Sequence, residues 1–169
     1  MPENMEYTAV NTSLGWIAIM GSASGLLCVT LPQPSSQEAL KLLGEMTNYA
    51  TWSPDRFEDV VGRLRRFLSR QKVDFADKLD LSRATPFQRE VWRITRLIPY
   101  GETRSYGWVA EQTGKPGAAR AVGQALARNR LAIIIPCHRV VGGNGKLCGF
   151  SGGLKLKRQL LRLEAAIPQ

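Results

Sequence analysis

The sequence predicts a mixed α/β protein in two parts, a small strand-plus-helix region followed by a mainly helical region that contains a helix-turn-helix. Three observations predict it. Short β-rich runs between Gly/Ser turns open the chain and then change to helical spacing. Beyond Thr85, helix starts and stops recur at short intervals. The charge is also unevenly divided: residues 1–84 hold nine Lys/Arg and ten Asp/Glu, whereas residues 85–169 hold fourteen and four. The net charge of +9 is therefore −1 plus +10. A chain of 169 residues with 44% apolar content suits one ordinary domain or two small ones.

Tyr7–Val10, Trp16–Met20 and Leu26–Leu31 read as strands separated by turns. Pro32, Pro34, Ser35 and Ser36 break the pattern, and a helix follows over about Gln37–Met46. A second helix starts after Ser53-Pro54, with Ser53 as cap and Pro54 in the first turn. In it Phe57, Val60, Val61, Leu64, Phe67 and Leu68 recur at helical spacing, a core stripe with arginines on the wet side. Residues 71–84 read as a strand or extended linker, and a boundary near Ser82–Ala84 divides the chain into 1–82 and 83–169.

Thr85-Pro86-Phe87-Gln88 is a strong helix start, with Thr85 and Gln88 forming a capping box. That helix turns Val91, Trp92, Thr95 and Ile98 inward and stops at Pro99. Tyr106–Gln112 and Gly117–Ala127 are two short helices joined by the turn Thr113-Gly114-Lys115-Pro116, the outline of a helix-turn-helix inside a basic half. Small side chains around Gly117–Ala125 allow close approach to a partner surface, with Arg120 as the reaching group. Ala132–Ile135 reads as a buried strand ending at Pro136, and the last helix runs over about Gly153–Glu164.

No apolar run approaches the roughly 20 residues of a membrane span. The start, Met1-Pro2-Glu3-Asn4-Met5-Glu6, does not have the form of a secretory signal. Three cysteines (Cys28, Cys137 and Cys148) without paired spacing fit a reducing compartment, so a cytoplasmic location is expected. With His138 as the sole histidine, the soft ligands are too few for a metal site, and no cofactor is expected.

The informative run is Ile134-Ile135-Pro136-Cys137-His138-Arg139-Val140-Val141. A cysteine after an apolar strand is commonly a small buried hydrophobe. Here it follows a strand-ending proline, adjoins the only histidine and precedes the loop Gly142-Gly143-Asn144-Gly145. A free thiol has a pKa of about 8.5 and needs activation to act as a nucleophile. Adjacent residues of a regular strand point to opposite faces, so Cys137 and His138 cooperate only if the chain turns there or a water bridges them. A carboxylate would have to fix the imidazole tautomer, and Glu90, Glu102, Glu111 and Glu164 are the ones in this half.

Pro136-Cys137-His138-Arg139, with Ser105-Tyr106-Gly107 upstream, resembles the O6-alkylguanine-DNA alkyltransferase family. The resemblance extends through Ile98-Pro99-Tyr100-Gly101-Glu102-Thr103, Ala118-Ala119-Arg120-Ala121-Val122-Gly123 and Ser151-Gly152-Gly153, from about Thr85 to Glu164. It implies a ribonuclease H-like N-terminal domain, 1–82, serving as scaffold, and a DNA-binding, alkyl-acceptor domain, 83–169. It implies a single-turnover repair protein that flips O6-alkylguanine from double-stranded DNA and keeps the alkyl group on Cys137. In that reading His138 is the water-mediated base, Glu164 orients it, and Tyr106 hydrogen-bonds the flipped guanine. Arg120 replaces the flipped nucleotide in the stack, with Ala119, Gly123 and Arg128 beside it on the DNA. Val140, Phe150, Ser151 and the hinge residue Asn129 belong to the guanine pocket. O4-alkylthymine is a second expected substrate, and the DNA-free protein is expected to be a monomer.

The chain departs from the family pattern at three points. Arg130 stands where proline often follows the hinge asparagine, either loosening the hinge or adding a phosphate contact. Phe150 replaces a frequent tyrosine, and the histidines that hold zinc in some relatives are absent. Cys148 has no matched role. Rival readings are weaker: a non-catalytic lesion binder lacks the acceptor cysteine, a cysteine hydrolase has no use for the basic helix pair, and a plain DNA-binding regulator leaves the Pro-Cys-His-Arg run unexplained.

Overall fold

The computed structural model describes residues 4–167. Backbone packing groups the chain up to Ser82 with Arg130–Ile134 as one unit, and Arg83–Asn129 with the chain from Ile135 onward as another. A single cut at residue 82 therefore does not reproduce the packing, because Arg130–Ile134 belongs with the first unit.

The first unit is built on a four-stranded sheet in the order β3-β2-β1-β4. β1 (Glu6–Thr12), β2 (Gly15–Ser22) and β3 (Gly25–Val29) form an antiparallel meander, and the two-residue β4 (Thr51–Trp52) joins β1 in parallel. Side chains alternate along β2. Ala18 and Met20 share a core with Leu27, Cys28, Ala39 and Leu43, the last two from α1 (Ser36–Leu43). Ile17 and Ile19, equally buried, therefore fill the opposite face.

Ser35 caps α1, its hydroxyl accepting from the Glu38 N–H at 3.2 Å. The helix stops short of the expected Met46 because Gly44, at φ 76, turns the chain into a 3-10 segment, Gly44–Tyr49. Ser53 makes no capping bond; Pro54–Phe57 form a 3-10 turn, and α2 (Glu58–Leu68) begins after it. Val60, Val61, Leu64, Phe67 and Leu68 of α2 are buried, as their spacing predicts. Most of residues 71–84 is irregular, joined to the sheet at a Leu26–Leu79 bridge. Gly25, at φ 141, lies so close to the Lys78 carbonyl that a Cβ would collide with it.

The segment expected as a strand over Ala132–Ile135 is buried but is not a regular strand. Leu131 bridges Val29, and Val29 exchanges backbone bonds with the Arg130 carbonyl and the Ala132 N–H at 2.8 and 3.0 Å. The ladder ends there because Ile133 adopts φ 71 and the Ile134 N–H folds back onto the Ala132 carbonyl at 2.8 Å. Arg130 sends Nη2 to the carbonyls of Leu42 and Leu43, both at 3.4 Å, at the C-terminal end of α1. Those are its side-chain contacts to α1 within this unit.

In the second unit, α3 (Pro86–Thr95), α4 (Tyr106–Gln112) and α5 (Ala119–Ala127) pack on one another. The expected capping box is formed: Thr85 Oγ1 accepts from the Gln88 N–H, and Gln88 Oε1 accepts from the Thr85 N–H, both at 3.1 Å. Val91, Trp92, Thr95 and Ile98 are buried, and Trp92 Nε1 donates to the Ala125 carbonyl at 2.9 Å. Ser105 caps α4 through the Trp108 N–H at 2.9 Å. α5 begins two residues later than expected, with Gly117 and Ala118 in the turn. β5 (Arg104–Ser105) pairs in parallel with β6 (Val140–Val141), and α6 (Leu154–Leu163) closes the unit.

Candidate active site

Pro136, at φ −80 and ψ 62, is the centre of an inverse γ-turn closed by the Cys137 N–H on the Ile135 carbonyl at 2.7 Å. The fixed φ of proline suits that turn. A 3-10 turn, Cys137–Arg139, follows and leads into β6. Cys137 and His138 thus do not alternate across a strand; the chain turns where their cooperation required it to. Tyr106, which follows β5 at the start of α4, borders the same cavity as Cys137.

Cys137 is partly exposed and lies against a cavity of about 420 Å³. Tyr106, Phe150, Ser151, and Gly123 and Ala127 of α5 form its walls. Asn129 Nδ2 donates to the Cys137 sulfur at 3.3 Å and to the Ile135 carbonyl at 3.1 Å. Burial pushes the thiol above its ordinary pKa, against the pull of the Asn129 amide, the Lys157 ammonium and nearby backbone N–H groups. Such a thiol needs a base when it attacks.

The chain's one imidazole stands next to it in sequence. His138 Nε2 meets Glu164 Oε2 at 2.5 Å, with both side chains buried. A neutral ring that donates Nε2–H to the carboxylate carries its lone pair on Nδ1. Burial holds His138 below its ordinary pKa; Glu164 opposes this, while Arg139 and Lys157 reinforce it. Burial would raise the Glu164 carboxyl, but His138 and Arg139 outweigh it, and the group sits below its ordinary value. Of the four carboxylates of this half, Glu90 pairs with Arg93 and Glu102 with Arg104; Glu164 is the one at the imidazole.

Tyr106 packs its ring 3.8 Å from where a Cβ on Gly123 would stand. Burial raises the phenol's pKa, as do Cys148 and Cys137. Arg120, Gly123 and Ala127 lie at i, i+3 and i+7 of α5, so the exposed Arg120 shares the face that borders the cavity. Arg128 is exposed at the end of that helix and lines a second cavity of about 610 Å³ with Thr85, Gln88, Ala121 and Gln124; Ala119 is half-buried. Val140 is buried in β6 and Asn129 lies beneath the sulfur, so neither is a cavity wall. The carbonyl of the exposed Cys148 accepts from Lys157.

Two participants were not singled out from the sequence. Lys157 is fully buried, its Nζ 3.0 Å from the Cys148 carbonyl and 3.4 Å from the Tyr106 hydroxyl, over the rings of Tyr106 and Phe150. Burial lowers its pKa, and the Cys137 and Cys148 thiols oppose that. Its signal was spacing: 157, 160, 161 and 164 form one helical stripe, with an ammonium where an apolar residue is the rule. Arg139, whose Nε reaches both Glu164 oxygens at 2.9 and 3.2 Å, adjoins the histidine in sequence, but nothing local shows that it folds back onto a residue 25 positions away.

Among the described residues, no three His, Cys, Asp or Glu side chains are grouped to hold a metal, and no helix is long and apolar enough to cross a membrane. Residues 86–166 match the family described as 6-O-methylguanine DNA methyltransferase, DNA binding domain. The methylated-DNA--protein-cysteine methyltransferase of Mycobacterium tuberculosis (strain ATCC 25618 / H37Rv) is 40% identical over 162 residues, covering 95% of this chain and 92% of that protein. The protein of the same name from Methanosarcina acetivorans is 37% identical, covering 96% and 99%. The crystal structure of Mycobacterium tuberculosis OGT in complex with DNA superposes with a TM-score of 0.81 at 41% identity, covering 95% of this chain and 93% of that one. On these likenesses the chain belongs to the methylated-DNA--protein-cysteine methyltransferase family.

Proposed function

We infer that this chain repairs alkylated DNA by direct reversal, taking the alkyl group from O6 of guanine onto its own Cys137, once per molecule. The observation that carries the assignment to Cys137 is a partly exposed sulfur against a cavity, next in sequence to a buried His138–Glu164 pair. The thiolate attacks the sp3 carbon on O6; the C–S bond forms as the C–O6 bond breaks, and the electron pair leaves on the base. The thiol proton passes through a water to His138, and the departing guanine is reprotonated with the Tyr106 hydroxyl assisting. The product is a thioether, which has no carbonyl for water to attack, so the sulfur is not regenerated.

A base inside a duplex hides its O6 substituent and must be extruded at a cost of a few kcal/mol. α4 and α5 act as a helix-turn-helix on double-stranded DNA, the small residues of α5, Ala119 and Gly123 among them, allowing close approach in the minor groove. Arg120 fills the vacated stack, Arg128 contacts the backbone, and basic phosphate contacts offset the extrusion. Phe150 and Ser151 flank the flipped base, and Asn129 acts as the hinge; O4-alkylthymine is a second, smaller substrate. The first unit is a ribonuclease H-like scaffold, and the free protein is a monomer of a reducing compartment such as the cytoplasm.

Incubation with O6-methylguanine duplex, followed by intact mass and peptide mapping, should show one added methyl on the peptide containing Cys137. An unmodified Cys137 alongside many turnovers of DNA overturns the reading.

A further inference from the structure

We propose that Arg139 is a positioning residue that occupies the Glu164 carboxylate, so that His138 remains the neutral imidazole able to take the Cys137 proton. The proposal rests on the reading of Cys137 as alkyl acceptor.

Three restraints fix the guanidinium. Nε reaches Glu164 Oε1 at 2.9 Å and Oε2 at 3.2 Å, Nη1 donates to the Ile98 carbonyl at 2.8 Å, and the group lies 5.8 Å from the centre of the Tyr100 ring. Oε1 also accepts from the Gly101 N–H at 2.9 Å. The carboxylate is thereby oriented with Oε2 toward His138 Nε2.

The charge count gives this arrangement a chemical consequence. A buried carboxylate with only an imidazole beside it is compensated when the ring takes a proton from solvent, and a ring so protonated cannot act as a base. With Arg139 in place, the Glu164 charge is already compensated. Protonating His138 would then add an unbalanced positive charge to a site that also holds the buried Lys157. The charged groups that act on His138 include Glu164 and Lys157 from the α6 segment and Arg139 from its own turn, in which Cys137 precedes it. α3, which packs against that turn, keeps its Glu90–Arg93 pair in solvent, and the Glu102–Arg104 pair also lies at the surface. Arginine suits the position because its planar fork reaches the carboxylate and a carbonyl together while staying charged at every relevant pH.

With one histidine in the chain, the imidazole NMR signals report a single residue. The DNA-free full chain would be titrated as wild type, Arg139→Met, Arg139→Gln and Arg139→Lys. The wild-type midpoint is expected below the ordinary 6.5, with the Met and Gln variants about one pH unit or more above wild type, a tenfold gain in proton affinity. Lysine keeps the charge and should restore a midpoint near wild type. The acid limb of the transfer rate on free O6-benzylguanine should move with these midpoints, and the rate of the Met and Gln variants should recover at high pH. A merely structural role would slow transfer at every pH and leave the midpoint unmoved. If the Met variant does not fold, the Gln and Lys variants decide alone; a folded variant lacking the charge that titrates like wild type overturns the proposal. The midpoint is read without any alkyl transfer, so failure of the acceptor reading would appear separately, as an unlabelled Cys137.

Discussion

The two units treat charge differently. In the first, the buried polar side chains among the described residues are the hydroxyls of Thr8, Ser22 and Thr30, and a pair such as Arg56–Glu6 stays about a third exposed. The second buries His138, Arg139, Lys157 and Glu164 within one site. Burying charge costs several kcal/mol per ion unless each is compensated, so such a cluster is a poor way to stabilise a fold. Where it occurs, the fold is holding perturbed groups for chemistry. Both units are packed by buried apolar side chains, and the contrast teaches that the second also holds a compensated cluster of buried charges near a sulfur.

The sharpest test removes the sulfur: Cys137→Ser should abolish alkyl incorporation, seen as no mass shift, while gel-shift affinity for DNA changes little. Residual transfer would move the chemistry elsewhere. Next, Glu164→Ala should lower stability by about 3–5 kcal/mol in urea unfolding, because Arg139 is left buried and uncompensated. Glu6→Ala, from the exposed pair, should cost about 0–1 kcal/mol; equal costs would erase the contrast between the units. Arg120→Ala should slow repair of duplex by on the order of tenfold or more, since only the duplex must be opened. Its reaction with free O6-benzylguanine should barely change, and matched losses would remove the finger role.

The smallest effect is acid lability. Both His138 and Glu164 have depressed values in the folded state, so the unfolded chain binds their protons first as pH falls. Stability should therefore be fully present above 6.5, begin to decline below it as the unfolded imidazole is protonated, and decline further below 4.5. Urea midpoints flat from pH 7.5 to 5 would contradict the buried neutral imidazole.

Local chemistry made much of this legible. Thr85, Pro86 and Gln88 announced α3, and the stripe from Phe57 to Leu68 announced the buried face of α2, because caps and periodicity act within a few residues. What misled was also local. Ala132–Ile135 has the apolar content of a strand, yet Ile133 at positive φ breaks it, and no residue-type rule marks an isoleucine for that conformation. Ser53 has a capping residue's chemistry, but the 3-10 turn beginning at Pro54 takes its place. At the site, the contiguous Pro-Cys-His-Arg run was conspicuous. The ammonium of Lys157 and the fold-back of Arg139 depend on tertiary placement that no short window contains.

The return of Arg130–Ile134 to the first unit bears on how this protein can be dissected. A gene fragment encoding only residues 83–169 would carry Leu131, Ala132, Ile133 and Ile134, side chains buried in the intact chain, without the sheet edge at Val29 on which their backbone is laddered. Wetting them sacrifices burial worth about 25 cal/mol per Å². The same five residues lead directly into the γ-turn at Pro136, so such a fragment would unmoor the reactive sulfur's own tether, and solubility screens of truncations would select against the piece that carries the chemistry.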